Sequence, residues 1–137
     1  MTQKMKYIMT PNPYRIGIHE KIFAALKSMA EHDIHHLAVM NGDDLEGLIT
    51  DRDIELVLDV KLEGLKYDSI TVQDVMFEEP YIVDVDESLI RVLEYFSKNH
   101  IGTALVTENE QLVGIFTASD ACKELLKRIK YEDSSSP

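Results

Sequence analysis

Apolar positions along the chain fall into two rhythms, one of period 3.6 and one of period 2, and the order of these rhythms occurs twice. The stretch EKIFAALKSMAEHD places Ile22, Phe23, Leu26, Met29 and Ala30 on one helical stripe. ESLIRVLEYFSKNH does the same with Leu89, Val92, Leu93 and Phe96. Ahead of each helix stand a proline and alternating apolar residues, in MTPNPYRIGI and MFEEPYIVDV, which predict a short strand. After each helix come two apolar runs about a turn: HLAVM and LEGLIT around NGDD, then TALVT and LVGIFT around ENEQ. These read as β-hairpins. Each hairpin leads into a further helix, DRDIELVLDV in the first case and ASDACKELLKRIK in the second. The latter has Ala121, Cys122, Leu125, Leu126 and Ile129 at helical spacing, and Lys127, Arg128 and Lys130 where they suit the negative end of a helix dipole. Asp86 or Ser88 is placed to cap the helix that follows it.

The two rhythms belong to one duplicated unit. Setting Met9 over Met76 aligns residues 9–53 with 76–120 without a gap, and 11 of 45 positions are identical. Among them are Pro13/Pro80, Tyr14/Tyr81, Gly47/Gly114, Thr50/Thr117 and Asp53/Asp120. Each unit therefore reads strand–helix–strand–strand–helix, an α+β arrangement of α/β sandwich type. A unit so small buries too little surface to be stable alone, so two copies are expected to share a core. The expected organisation is unit 1 at 5–60, a linker at 61–70, unit 2 at 71–130 and a disordered polar tail at 131–137. TVQDVM reads as a short helix leading into the second unit, and MKYIM as its counterpart at the start.

Composition narrows the function classes. Fourteen basic against 25 acidic side chains leave a formal charge of −11, which opposes direct contact with nucleic acid and with anionic membrane surfaces. No apolar run approaches the roughly 20 residues of a membrane span. The N-terminus is too polar for a secretory signal, and the expectation is a cytoplasmic protein. The single Cys122 excludes an internal disulfide and reads as a packing residue. No nucleophile–base pair, phosphate-binding Walker loop or zinc spacing occurs, so an enzyme is not expected, nor is a required cofactor.

The residues with possible chemistry cluster at the repeated Gly-apolar-apolar-Thr-x-x-Asp. Thr50/Asp53 and Thr117/Asp120 have capping-box spacing, with Thr as N-cap and an acid three residues on. The same geometry suits a ligand: free amides at a helix N-terminus attract phosphate, and a carboxylate accepts hydroxyl protons from a sugar. The two readings are compatible. Gly47 and Gly114 read as points of tight packing. His32, His35 and His36 break the symmetry, because Asn99, Gly102 and Thr103 replace them. They read as solvated or core-edge side chains, as phosphate contacts, or as metal ligands; the last is disfavoured because His35 and His36 start a strand and point to opposite faces. Arg52, with Asp51 beside it, is replaced by Ser119 and Ala118. His35, His36, Arg52 and Arg15 thus give the first repeat a local positive field that the second lacks. Two unequal sites follow, the first suited to a phosphorylated ligand, the second to a less charged one.

This duplicated pattern resembles the CBS domain, named after cystathionine β-synthase, and the tandem resembles a stand-alone CBS pair, or Bateman module. The resemblance covers about residues 5–127. It implies two β-α-β-β-α units packed through their sheets about a pseudo-twofold axis, with adenosine-containing ligands in the clefts. AMP, ADP or ATP are the expected ligands, with an S-adenosylmethionine-type or NAD-type molecule as the alternative. It gives Thr50, Asp53, Thr117 and Asp120 the phosphate and ribose roles. Tyr14, Ile16, Tyr81 and Val83 would help hold the adenine, although Ile16 and Val83 read equally as core strand residues. In a kinase-regulating member of the family a His-Arg pair stands before the same Leu and touches phosphate; His35-His36 occupies that place here, and Ser119 lies in the second site. The implied function is a non-catalytic regulatory sensor signalling to a partner protein, commonly as a homodimer. A ligand-free interaction module is the other class that fits.

Overall fold

The computed structural model describes residues 3–60 and 66–135. In chain order the elements are a 3-10 turn at Met5–Tyr7, β1 (Thr10–Pro11), β2 (Arg15–Gly17), α1 (Ile22–His32), β3 (His36–Asn41), β4 (Asp44–Thr50) and α2 (Asp51–Leu58). A 3-10 turn at Tyr67–Ser69 and the short helix α3 (Val72–Val75) follow. The second repeat supplies β5 (Tyr81–Asp84), α4 (Leu89–Asn99), β6 (Thr103–Glu108), β7 (Gln111–Thr117) and α5 (Ala118–Ser135). Of the expected linker, residues 61–65 lie outside the described residues.

The elements follow the hydrophobic rhythms closely, and local chemistry explains their ends. Helices α1 and α4 both stop at a residue in the left-handed region, Asp33 at φ 52° and His100 at φ 55°, which are equivalent in the repeat. Ser88, not Asp86, caps α4: its Oγ accepts from the Arg91 amide at 3.1 Å. Asp86 is held instead by Lys6 at 3.0 Å. Helix α5 runs on to Ser135, through most of the polar stretch whose composition suggested disorder. The Glu124–Arg128 pair at 3.1 Å supports it from its own surface. Cys122 is exposed rather than packed.

Two sheets form. One orders its strands β2-β3-β4, with β2 parallel to β3 and β3 antiparallel to β4. The other orders them β1-β7-β6-β5, with the same parallel and antiparallel pairings for β5, β6 and β7 and with β1 added along β7. The chain divides into two compact units, but not at the repeat boundaries. One is Pro13–Pro80; the other joins the segment ending at Asn12 to the chain from Tyr81 onward. The lead-in segments have changed sides. Met5, fully buried, packs with Val83, Val85, Leu89, Val92, Ala104, Val106 and Phe116, all from the second repeat. Val72, its equivalent, packs with Ile18, Ile22, Ala25, Met29, Leu37, Val39, Ile49 and Ile54 of the first.

Backbone hydrogen bonds repeat the exchange. Met5 N donates to Glu87 O at 2.8 Å and Lys6 N to Val85 O at 2.9 Å; Val72 N donates to Glu20 O at 2.8 Å and Gln73 N to Ile18 O at 3.0 Å. Corresponding donors of the two sets stand 67 positions apart, and so do corresponding acceptors. Each core is thus closed by a segment that precedes the other repeat.

Candidate functional site

Strand register brings the expected site residues to one end of each sheet. In the Pro13–Pro80 unit, His36 lies opposite Thr50 across β3 and β4. Tyr14, just before β2, reaches the same end, its carbonyl accepting from Ala38 N at 3.3 Å. In the other unit Thr103 lies opposite Thr117, and Tyr81 pairs with Ala104 one rung away. The hairpin does this: β4 and β7 run back toward the start of the parallel strands and there enter α2 and α5.

Both Thr-x-x-Asp motifs form capping boxes. Asp53 N donates to Thr50 Oγ1 at 3.1 Å and Thr50 N to Asp53 Oδ2 at 3.3 Å. Asp120 N donates to Thr117 Oγ1 at 3.2 Å and Thr117 N to Asp120 Oδ2 at 2.9 Å. In the second copy the Thr117 hydroxyl also meets Asp120 Oδ2 at 3.0 Å. All four residues are half-buried, while Arg52 and Ser119 between them are exposed. Thr117→Ala is expected to lower stability by about 0.5–2 kcal/mol through loss of the cap, measurable by urea titration. A change below a few tenths would show that the cap is not formed in solution.

The two tyrosines lie against helices. Tyr14 stacks on His32 at the end of α1, with ring centroids 3.8 Å apart. Tyr81 stacks on Tyr95 of α4 at 3.7 Å. Partial burial, with Glu87 nearby, holds the Tyr81 hydroxyl above the ordinary phenol range. Beside this second pair an open groove of about 460 Å³ runs along α4; neither Thr117 nor Asp120 lines it. Val83 is buried in the core of its unit, and Ile16 packs against the other core. Their side chains serve the packing role that was one of their two readings.

The histidines separate. His32 stacks on Tyr14, and its Nδ1 lies 2.8 Å from Ser28 O. His36 is half-buried in β3. His35 Nδ1 donates to Asp51 Oδ2 at 2.6 Å, and this bond with the Asp51 charge raises the imidazole pKa. Among the described residues no three His, Cys, Asp or Glu side chains come together as a metal site. The His35–Asp51 pair was not legible as a contact in the sequence. Its one signal was that both positions change together in the second repeat, to Gly102 and Ala118.

A duplicated α+β unit whose hairpin ends in a capped helix, with both copies exchanging lead-ins, defines the fold as a tandem repeat module. The CBS domain pattern matches residues 5–59 and 72–127. The chain belongs to the CBS domain family and is a tandem CBS pair, a regulatory module. It is 33% identical over 119 residues to Hypoxic response protein 1 of Mycobacterium tuberculosis, covering 86% of this chain and 82% of that one. A crystal structure of Hypoxic Response Protein I with two coordinated zinc ions superposes with a TM-score of 0.74 at 29% identity, covering 88% and 98% of the two chains. The CBS domain pair of protein MJ0100, crystallised with 5'-methylthioadenosine and S-adenosyl-L-methionine, has the same fold, with a TM-score of 0.82 at 24% identity over 93% and 99%. Among the described residues no helix is long and apolar enough to cross a membrane.

Proposed function

We propose that this protein senses an adenosine-containing ligand, with AMP, ADP or ATP the best fit, and reports its bound state to a partner protein without chemistry of its own. The observation that carries this reading is the pair of capped Thr-x-x-Asp helix starts, each set at the same end of its sheet as a tyrosine. A helix start directs amides and partial positive charge at a phosphate. The cap engages one carboxylate oxygen of Asp53 or Asp120. The second oxygen is the natural acceptor for ribose hydroxyls. The repeats differ in charge: Asp51, Arg52, His35 and His36 surround one edge, whereas Ala118, Ser119, Gly102 and Thr103 surround the other. That difference supports a phosphorylated ligand at Thr50/Asp53 and a less charged adenosyl compound at Thr117/Asp120.

A thermal-shift comparison of AMP, ATP, NAD and S-adenosylmethionine tests it. A ligand at 100 times its Kd adds about 2.7 kcal/mol, enough for a clear rise in midpoint. At least one compound is expected to give that rise, and Thr50→Ala/Asp53→Ala is expected to abolish it for AMP while sparing the uncharged-site ligand. No shift with any of the four would leave the ligand-free interaction module as the better account. Exposed Leu125, Leu126 and Ile129 on α5, with Ile90 on α4, support a homodimer in either case. Its expected signature is a two-chain mass by light scattering.

A further inference from the structure

One pair of facing positions differs between the repeats in kind rather than degree. Where β6 begins, a Cβ added to Gly102 would stand 3.2 Å from the Ala118 Cβ. At the equivalent place the first repeat carries His35 and Asp51, joined at 2.6 Å. The backbone link beneath is common to both: Asp51 N donates to His35 O at 3.2 Å, and Ala118 N to Gly102 O at 2.8 Å. A shared scaffold contact therefore bears a titratable ion pair in one copy only.

Asp51 is the first residue of α2, next to Thr50 and two before Asp53. Its carboxylate sits where the helix start would attract an anion. With His35 protonated the pair is neutral; with His35 neutral it carries one negative charge. Three carboxylates act on the ring, those of Asp51 and Glu55 from α2 and of Asp33 at the end of α1, and all favour the protonated form. His36 follows it in β3, and Arg52 follows Asp51 in α2.

We propose that the His35–Asp51 pair makes the Thr50/Asp53 edge accept a phosphorylated adenosine compound well only while His35 holds its proton, so that this edge, unlike Thr117/Asp120, answers to pH. The proposal rests on the reading of Thr50/Asp53 as a ligand edge. One unit charge a few ångströms from a phosphate near solvent changes affinity by about three- to tenfold. Because the bond to Asp51 and the Asp51 charge raise the folded imidazole above its ordinary value, the change falls at higher pH than for a free histidine. AMP gains negative charge near pH 6, as phosphate esters do, so its own titration works in the opposite direction at an ordinary anion site.

The test uses the full chain, labelled for NMR, with AMP as probe and adenosine as its uncharged control. The Asp53 and Asp120 amides report the two edges separately. At Asp53 the AMP affinity is expected to fall about three- to tenfold as the pH is raised from about 6.5 until the His35 ring resonances show it neutral, while adenosine stays level at both edges and AMP stays level at Asp120. Asp51→Asn is expected to hold the Asp53 response at its low-pH strength throughout. His35→Gln, which keeps a hydrogen-bond donor but no titrating charge, is expected to hold it at its high-pH weakness. AMP binding at Asp53 that is flat or rises with pH in the unaltered chain overturns the switch and leaves the ligand reading standing. Absence of any AMP or adenosine response at either amide overturns both.

Discussion

Phe116→Ala lowers stability by about 3–5 kcal/mol, the largest loss expected from a single truncation in this chain. Phe116 is the largest side chain that is fully buried. Its ring stacks on Phe96 with centroids 6.2 Å apart, and Phe96 in turn meets the edge of Tyr81 at 6.3 Å. Removing it empties a ring-sized space bordered by Met5, Val92 and Ala104, among others of that core. A β-strand backbone paired on both sides cannot move inward to fill it. Guanidinium titration measures the loss, and amide exchange locates it in β5, β6 and α4. The equivalent residue of the first repeat is Ile49, also fully buried, in a core built from aliphatic side chains. Phe116→Ile therefore recovers only part of the loss, because nothing then meets the face of Phe96. A cost for Phe116→Ala below about 1 kcal/mol would contradict this packing.

Gly47→Ala is the second large effect. An added Cβ would stand 2.6 Å from the Phe77 carbonyl oxygen and 3.0 Å from Met76 Sδ. That carbonyl cannot retreat: it accepts from Leu48 N at 3.1 Å, while Phe77 N donates to Leu48 O at 2.8 Å. A methyl group must break this bridge or push the segment that follows α3 off the sheet, at a cost of about 1–3 kcal/mol. The equivalent Gly114→Ala is expected to cost less. There the obstruction is the Met9 side chain, with Sδ at 2.2 Å, Cγ at 2.8 Å and Cβ at 3.2 Å from the added atom. A methionine thioether can swing aside where a bonded carbonyl cannot. Parallel urea titrations of the two variants check the order. An equal or reversed order would show that the Phe77–Leu48 bridge yields more easily than its geometry indicates.

These two glycines show where function and folding meet in the motif. Gly47 and Thr50 share β4, and Gly114 and Thr117 share β7. The glycine admits the exchanged lead-in segment, and three residues later the threonine starts the helix. Under the proposed sensor reading, a substitution at the glycine is thus expected to weaken ligand response through displacement of the strand that presents the threonine. A fall in ligand affinity without loss of Thr50 or Asp53 therefore does not by itself mark Gly47 as a contact.

Much of the site was legible because its bonds are short in sequence. A capping box spans three residues, so Thr50/Asp53 and Thr117/Asp120 carry their geometry wherever the helix forms. The helices, hairpins and duplication were legible for a similar reason, since periods of 2 and 3.6 are written locally. Three features were not. Tyr14 and His32 are 18 positions apart and meet only once α1 folds back along β2. His35 and Asp51 meet because the intervening hairpin returns β4 to the start of β3. Helix α5 continues to Ser135, and the contact of Arg128 with Gln3, 125 positions away, is one that composition does not reveal.

The amino-acid order alone determined the two copies, their elements and the caps that start α2 and α5, because each is settled within one or two turns of chain. Which lead-in closes which core was decided only in three dimensions. Met5 and Val72 are both apolar and fit either partner by pattern, so the choice falls to the packing and backbone bonds available after the chain has reversed. The same holds for the charge beside Thr50: a histidine and an aspartate distant in sequence become one ionisable unit when the sheet brings them within hydrogen-bond reach.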